Sequence, residues 1–266
     1  LPHPPSLPAH RVSLLRALVL SSGLPASANA PIPPLRCSLR GAVWKALLNL
    51  GPVSASEYLS LSKAGPSADD AKILEDALRT FKTHPEFTSV VPVARIVRLL
   101  NAYVHDRGNT RGTYVQSMSV LAAPFLWVLP DPDAFFAFRA FLATRIPTYI
   151  RHYAGALRGC SLLSEALETA APDLHAALAS HHLLPQVYAF SSISSLNACV
   201  PPLSDSVALW DVLLAAGAHV AVVFTLARLV LDKDRILGEA PRASALCAPG
   251  RRASARGLGQ GGGEGA

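Results

Sequence analysis

Arg79 and Gln116 are the two residues of this chain best suited to work on a phosphate group. Arg79 lies in the stretch ILEDALRTF at residues 73–81, with Asp76 three positions before it. Side chains three apart share a helix face, so the carboxylate can pair with the guanidinium and fix its direction. A guanidinium stays protonated and grips phosphate oxygens at two points. Gln116 stands in the stretch TYVQSM at residues 113–118. Its amide both donates and accepts, as orienting an attacking water requires. Phosphoryl transfer spreads charge over the phosphate oxygens, and a cation inserted from a second protein is worth roughly 10³–10⁵ in rate. Taken singly, an Arg at a helix end is an ordinary solvated residue and a Gln in a first turn is ordinary too. The reading therefore rests on what surrounds them.

The elements that must position them are helical. Apolar residues recur at helical spacing over 11–20, 39–44, 67–81, 86–105, 114–129, 133–146 and 160–183, and in a last pair from about 203 to 231. Ser67 is the expected N-cap of the helix bearing Arg79, with Asp69 and Asp70 in its first turn. Leu74, Leu78 and Phe81 are its expected apolar stripe. Tyr114, Met118, Leu121 and Phe125 are expected on one helix face, with Gln116 in the first turn and a kink at Pro124. Residues 51–66 and 106–112 read as loops, and 147–151 as a linker. No alternating strand pattern and no fixed-period repeat is present. The predicted fold class is all-α.

Two further motifs join the set. Arg40 and Trp44 are four apart in LRGAVW, after the Pro-containing turn at 33–36. Trp210, Asp211 and Gly217 lie in VALWDVLLAAG at 207–217. In this order, Arg40/Trp44, Asp76/Arg79/Thr80, Tyr114/Gln116/Met118 and Trp210/Asp211/Gly217 resemble the TBC-domain GTPase-activating proteins. That family carries Arg-x-x-Val-Trp, then Ile-x-x-Asp-x-x-Arg-Thr, then Tyr-x-Gln-Gly-Met. The resemblance is closest to the cell-cycle branch, the spindle-position checkpoint and septation-initiation activators. It rests there on LVLSSGLP at 18–25, IPTY at 146–149 and LWD at 209–211.

The resemblance implies a multi-helix TBC-like fold. It implies a dual-finger mechanism in which Arg79 approaches the γ-phosphate and Gln116 replaces the GTPase's own glutamine. Asp76 would orient Arg79, Arg40 would brace that pair, and Thr80 and Tyr114 would support it. Trp44, Met118, Trp210, Asp211 and Gly217 would be structural. The implied partners are a small Ras-superfamily, Rab-like GTPase and a scaffold subunit, in the cytoplasm at the spindle pole body or centrosome. The chain would hold no cofactor of its own, since GTP and Mg²⁺ come with the GTPase. It would have no catalytic activity apart from the partner's. Two departures are visible. Ser117 replaces the motif glycine, and Gly/Ala/Arg-rich sequence replaces the family's C-terminal lobe from about 238. They motivate an alternative, a catalytically silent helical scaffold that binds a GTPase or checkpoint partner.

Composition narrows the classes. Half of the 266 residues are hydrophobic, enough for a large core. The net charge is +6, but Arg242, Arg251, Arg252 and Arg256 against Glu264 give the last 25 residues +3. The body carries no basic run with interleaved aromatics, which argues against nucleic acid. The four cysteines show no metal-ligand spacing and read as reduced thiols of a cytosolic protein. The uncharged run 212–227 is 16 residues against the roughly 20 of a membrane span, so a buried core helix is expected instead. The chain starts at Leu1 and reads as a fragment. The expected layout is an N-terminal extension at 1–34, the TBC-like domain at 35–237 and a disordered tail at 238–266.

Overall fold

The computed structural model describes residues 8–25, 28, 37–200 and 203–238, all helix and turn with no strand among them. The turn expected at 33–36, most of the Pro-rich linker and the tail beyond 238 lie outside the described residues. In chain order the helices are α1 (Ala9–Ser22), α2 (Leu39–Leu47), α3 (Ala55–Lys63), α4 (Asp70–Arg79), α5 (Pro85–Val90), α6 (Val93–Asp106), α7 (Met118–Val128) and α8 (Asp131–Thr144). They continue as α9 (Ala154–Ala170), α10 (Pro172–Ser180), α11 (Pro185–Tyr188), α12 (Phe190–Ser194), α13 (Leu203–Ala216), α14 (Val220–Leu231) and α15 (Lys233–Gly238).

Several boundaries differ from the expected ones, each for a local reason. The loop expected at 51–66 holds α3. Ser54 accepts the Glu57 N–H at 3.1 Å, a Ser-x-x-Glu helix start. The helix expected over 86–105 is two, α5 and α6, parted at Val91 because Pro92 excludes helical backbone just before it. Pro172 likewise divides 160–183 into α9 and α10. The expected core helix at 212–227 is the end of α13, a turn at Gly217 and the start of α14; Gly217 takes φ +124° there. No helix among the described residues is long and apolar enough to cross a membrane.

The first half of the molecule packs α3, α4, α7 and α8 around α6, with α2 and α13 closing one end. The aromatic centre of this half is Trp44, Phe125, Phe141 and Trp210. Phe125 lies edge-on to both tryptophans, with centroids 5.6 and 5.5 Å away, and Phe141 lies 5.3 Å from Trp210. In the second half α10, α11, α12 and α14 all pack on α9. The segment joining the halves, 145–153, ends with His152 and Tyr153 at positive φ, which turns the chain sharply into α9.

Burial holds the phenols of Tyr58, Tyr103, Tyr114, Tyr149 and Tyr188 above the ordinary tyrosine range. Above about pH 10 the unfolded chain loses these protons before the native one does. Native protein then binds more protons, so stability falls as pH rises. Burial also raises the thiols of Cys37 and Cys160, so the midpoint of urea unfolding should begin to fall near about pH 9 and drop more steeply beyond about pH 10. A midpoint that rises there would contradict the assigned burial.

Candidate functional site

The site is built where α4 meets the loop before α7. Helix α4 buries Ile73, Asp76 and Ala77 and leaves Leu74 and Leu78 exposed. The expected stripe of Leu74, Leu78 and Phe81 is therefore corrected: the inward face runs through Asp76, and Phe81 lies past the helix end at φ +52°. The N-cap is Asp69 rather than Ser67, whose hydroxyl donates to Asn101 Oδ1 at 2.6 Å. The Asp69 side chain makes no hydrogen bond to the helix start. Its two carboxylate oxygens accept the N–H groups of Gly112 and Tyr114 at 2.9 and 2.8 Å. These bonds hold 112–117 in a non-helical path, so α7 starts at Met118 and Gln116 lies in the turn before it, not in a first helical turn. The Val115 N–H points at the Met118 sulfur, 3.4 Å away.

Asp76 is the hub. Its Oδ1 pairs with Arg79, and its Oδ2 accepts the Tyr114 hydroxyl at 2.7 Å. The Thr80 hydroxyl donates to the Asp76 carbonyl at 2.8 Å. The same Tyr114 hydroxyl lies 3.3 Å from the Gln116 carbonyl. A continuous polar chain thus runs from Arg79 through Asp76 and Tyr114 to the backbone of Gln116. Burial raises the Tyr114 phenol far above its ordinary range, so it remains a donor. Arg79 is held up by its hydrogen bond to Asp76. The Asp76 side chain is 4 % exposed and that of Arg79 56 %, so a buried carboxylate aims an open cation outward.

Asp76, Arg79, Thr80, Gln116 and Ser117 line one cleft of about 460 Å³. Its far wall comes from the second half of the molecule: Tyr153, Phe190 and the serines at 191, 194 and 195. Sequence reasoning missed this wall. The run SSISS at 191–195 was its visible signal, but nothing local places it opposite Arg79. Tyr153 packs edge-on against Phe190, with centroids 5.4 Å apart. Ser117 has φ −76° and ψ −9°, ordinary right-handed geometry that does not demand glycine.

The remaining residues form a second, separate cluster. Arg40 donates three hydrogen bonds to the Asp211 carboxylate at 2.9–3.1 Å, and Trp44 Nε1 donates a fourth at 2.6 Å. Both ends of the pair are buried. Burial raises the Asp211 carboxyl, against the opposing pull of Arg40 and Trp44. The expectation that Arg40 braces Asp76 and Arg79 is corrected: its Nε and Nη2 are engaged by Asp211, and it ties α2 to α13. Trp210 fills the core beside it, and Gly217 ends α13, its N–H donating to Leu213.

An exposed cation aimed by a buried carboxylate, beside an exposed amide, suits a phosphate presented by another macromolecule. Comparison with known proteins bears on that reading. The family model described as Rab-GTPase-TBC domain matches residues 37–237. The chain is 37 % identical over 202 residues to cell division control protein 16 of Schizosaccharomyces pombe, covering 75 % of this chain and 67 % of that protein. It is 33 % identical over 230 residues to the putative mitotic check point protein BUB2 of Dictyostelium discoideum, covering 84 % of this chain and 62 % of that protein. The chain thus spans about two thirds or less of these relatives. The crystal structure of the Chlamydomonas flagellar RabGAP TBC domain superposes with a TM-score of 0.65 at 24 % identity, covering 89 % of this chain and 82 % of that one.

Proposed function

Because the chain belongs to the Rab-GTPase-TBC domain family, we propose that it activates GTP hydrolysis by a Rab-like small GTPase, supplying Arg79 and Gln116 as paired fingers. The observation that carries this reading is the polar chain linking them through Asp76 and Tyr114. The GTPase brings the nucleotide and Mg²⁺; this chain needs no cofactor of its own. Arg79 neutralises charge developing on the γ-phosphate oxygens, and the Gln116 amide orients the attacking water. Asp76 pre-sets the Arg79 guanidinium and Tyr114 holds the Gln116 backbone, so less ordering remains when the GTPase docks. The exposed Leu74 and Leu78 on α4 give apolar surface beside the finger for that docking. The kinship to mitotic checkpoint relatives supports a role in mitotic control; the proposed role extends to mitotic exit, in the cytoplasm at the spindle pole, alongside a scaffold subunit.

A transition-state mimic tests the fingers directly. GDP with aluminium fluoride should trap wild-type chain on a cognate GTPase, and Gln116→Ala should weaken the trapped complex about tenfold or more. Equal trapping by wild type and Gln116→Ala would remove Gln116 from the mechanism. Binding to the GTP-loaded GTPase with no response to aluminium fluoride would assign the chain to a silent scaffold instead. Tyr114→Phe deletes one hydroxyl and keeps the ring. It should lower the stimulated rate about tenfold, the worth of one charge-assisted hydrogen bond, without changing affinity for the GTP-bound GTPase. An unchanged rate would mean that Asp76 aims Arg79 unaided.

A further inference from the structure

The first 56 residues contain Arg11, Arg16, Arg36, Arg40 and Lys45 and no aspartate or glutamate. Asp211 neutralises Arg40, and Asp133 neutralises Lys45. Arg16 has no such partner among the described residues. It lies in a cleft of about 850 Å³ between α1 and the ends of α2 and α8, and its Nε is buried there with no hydrogen-bond partner. The cleft's second cation is Arg145, just past the end of α8. One of its nitrogens donates to the Leu47 carbonyl at 2.6 Å. Burial, and then the charge of Arg16, lowers the Arg145 guanidinium from its ordinary range. Val12, Leu47, Leu48 and Leu50 form apolar walls, and no carboxylate among the described residues lines the cleft.

We infer that this cleft is an oxyanion site that takes a phosphate group between Arg16 and Arg145. Three observations converge: two guanidiniums facing one cavity, a buried N–H with nothing to donate to, and a surrounding segment devoid of acidic residues. A phosphomonoester carries close to two negative charges near neutral pH, which matches two guanidiniums. A carboxylate would leave one of them uncompensated. Each guanidinium can engage two phosphate oxygens, and the free Arg16 Nε–H is one of the required donors. The cleft shares no residue with the one holding Arg79 and Gln116. The site therefore stands or falls independently of the GTPase reading.

Calorimetric titration with inorganic phosphate, at ionic strength held constant with chloride, tests the site on the full chain. Wild type should bind saturably. Arg16→Gln and Arg145→Gln should each weaken binding about tenfold or more, the worth of a charge-assisted hydrogen bond. Arg11→Gln, on an exposed position of the same helix, should leave it unchanged. A second arm uses a phosphoserine peptide and its unphosphorylated twin. Tighter, Arg16-dependent binding of the phosphopeptide would identify a protein-borne phosphate; binding of inorganic phosphate alone would identify a free anion. No saturable binding by wild type would overturn the inference, whatever the variants' folding. An equal loss in Arg11→Gln would overturn it too, since general surface charge would then explain the binding.

Discussion

Replacing Arg79 with alanine is expected to abolish nearly all stimulation of GTP hydrolysis, a loss on the order of 10³-fold or more. Stability should fall modestly, because the buried Asp76 carboxylate loses its charge partner, but the chain should stay folded. Arg79 is largely exposed, and its partners Asp76 and Glu75 lie on its own helix. Asp76 keeps the Tyr114 hydroxyl after the substitution. Affinity for the GTP-bound GTPase should change little, because a finger earns its effect in the transition state. Arg79→Lys should rescue only a small part, since an ammonium lacks the planar fork that spans two phosphate oxygens. Single-turnover rates for wild type, Arg79→Ala and Arg79→Lys, read with binding affinities, separate these effects. A wild-type rate from Arg79→Ala would place the catalytic cation elsewhere.

The second large effect is on stability. Asp211→Ala strands the buried guanidinium of Arg40 and leaves Trp44 Nε1 without its acceptor. Removing one partner of a buried ion pair costs about 3–5 kcal/mol. A domain's whole stability is on the order of 5–15 kcal/mol, so the variant should be partly unfolded at room temperature or sharply less resistant to urea. Asp211→Asn retains an acceptor for Trp44 but not the charge, and should fall between wild type and Asp211→Ala. Replacing Arg40 and Asp211 together by methionine and leucine should recover much of the loss, because no buried charge is then left alone. Urea unfolding of the four proteins measures this. A double replacement as unstable as Asp211→Ala would show that the cost lies in packing around Trp210 rather than in the stranded charge.

The sequence disclosed the parts of this site whose partners are near in the chain. Asp76 and Arg79 are three apart, and their pairing follows from helix geometry alone. Arg40 and Trp44 also share a face, as their spacing requires. Their acceptor, however, lies more than 160 residues further on. Nothing local shows that Asp211 rather than Asp76 takes the Arg40 fork. The buried face of α4 departs from the expected stripe for a related reason. Leu74 and Leu78 are the larger apolar side chains, yet Asp76 turns inward because Tyr114, from the following loop, gives its carboxylate a buried donor. The same loop defeated the helix boundary. Residues 114–117 have helical composition, but Asp69 captures two of the loop's N–H groups and delays the helix to Met118. The serine wall across the cleft depends on how the second half folds back after 145–153, where His152 and Tyr153 adopt left-handed backbone. Local pattern carries no record of that reversal.

The most direct test of the account is single-turnover GTP hydrolysis by Rab-like GTPases of mitotic exit, with and without this chain. Wild type and the Arg79→Ala/Gln116→Ala double variant should be compared at matched concentration and verified helical content. The account predicts strong acceleration by wild type and none by the double variant, while both bind the GTP-loaded GTPase. Acceleration that survives loss of both side chains would contradict it.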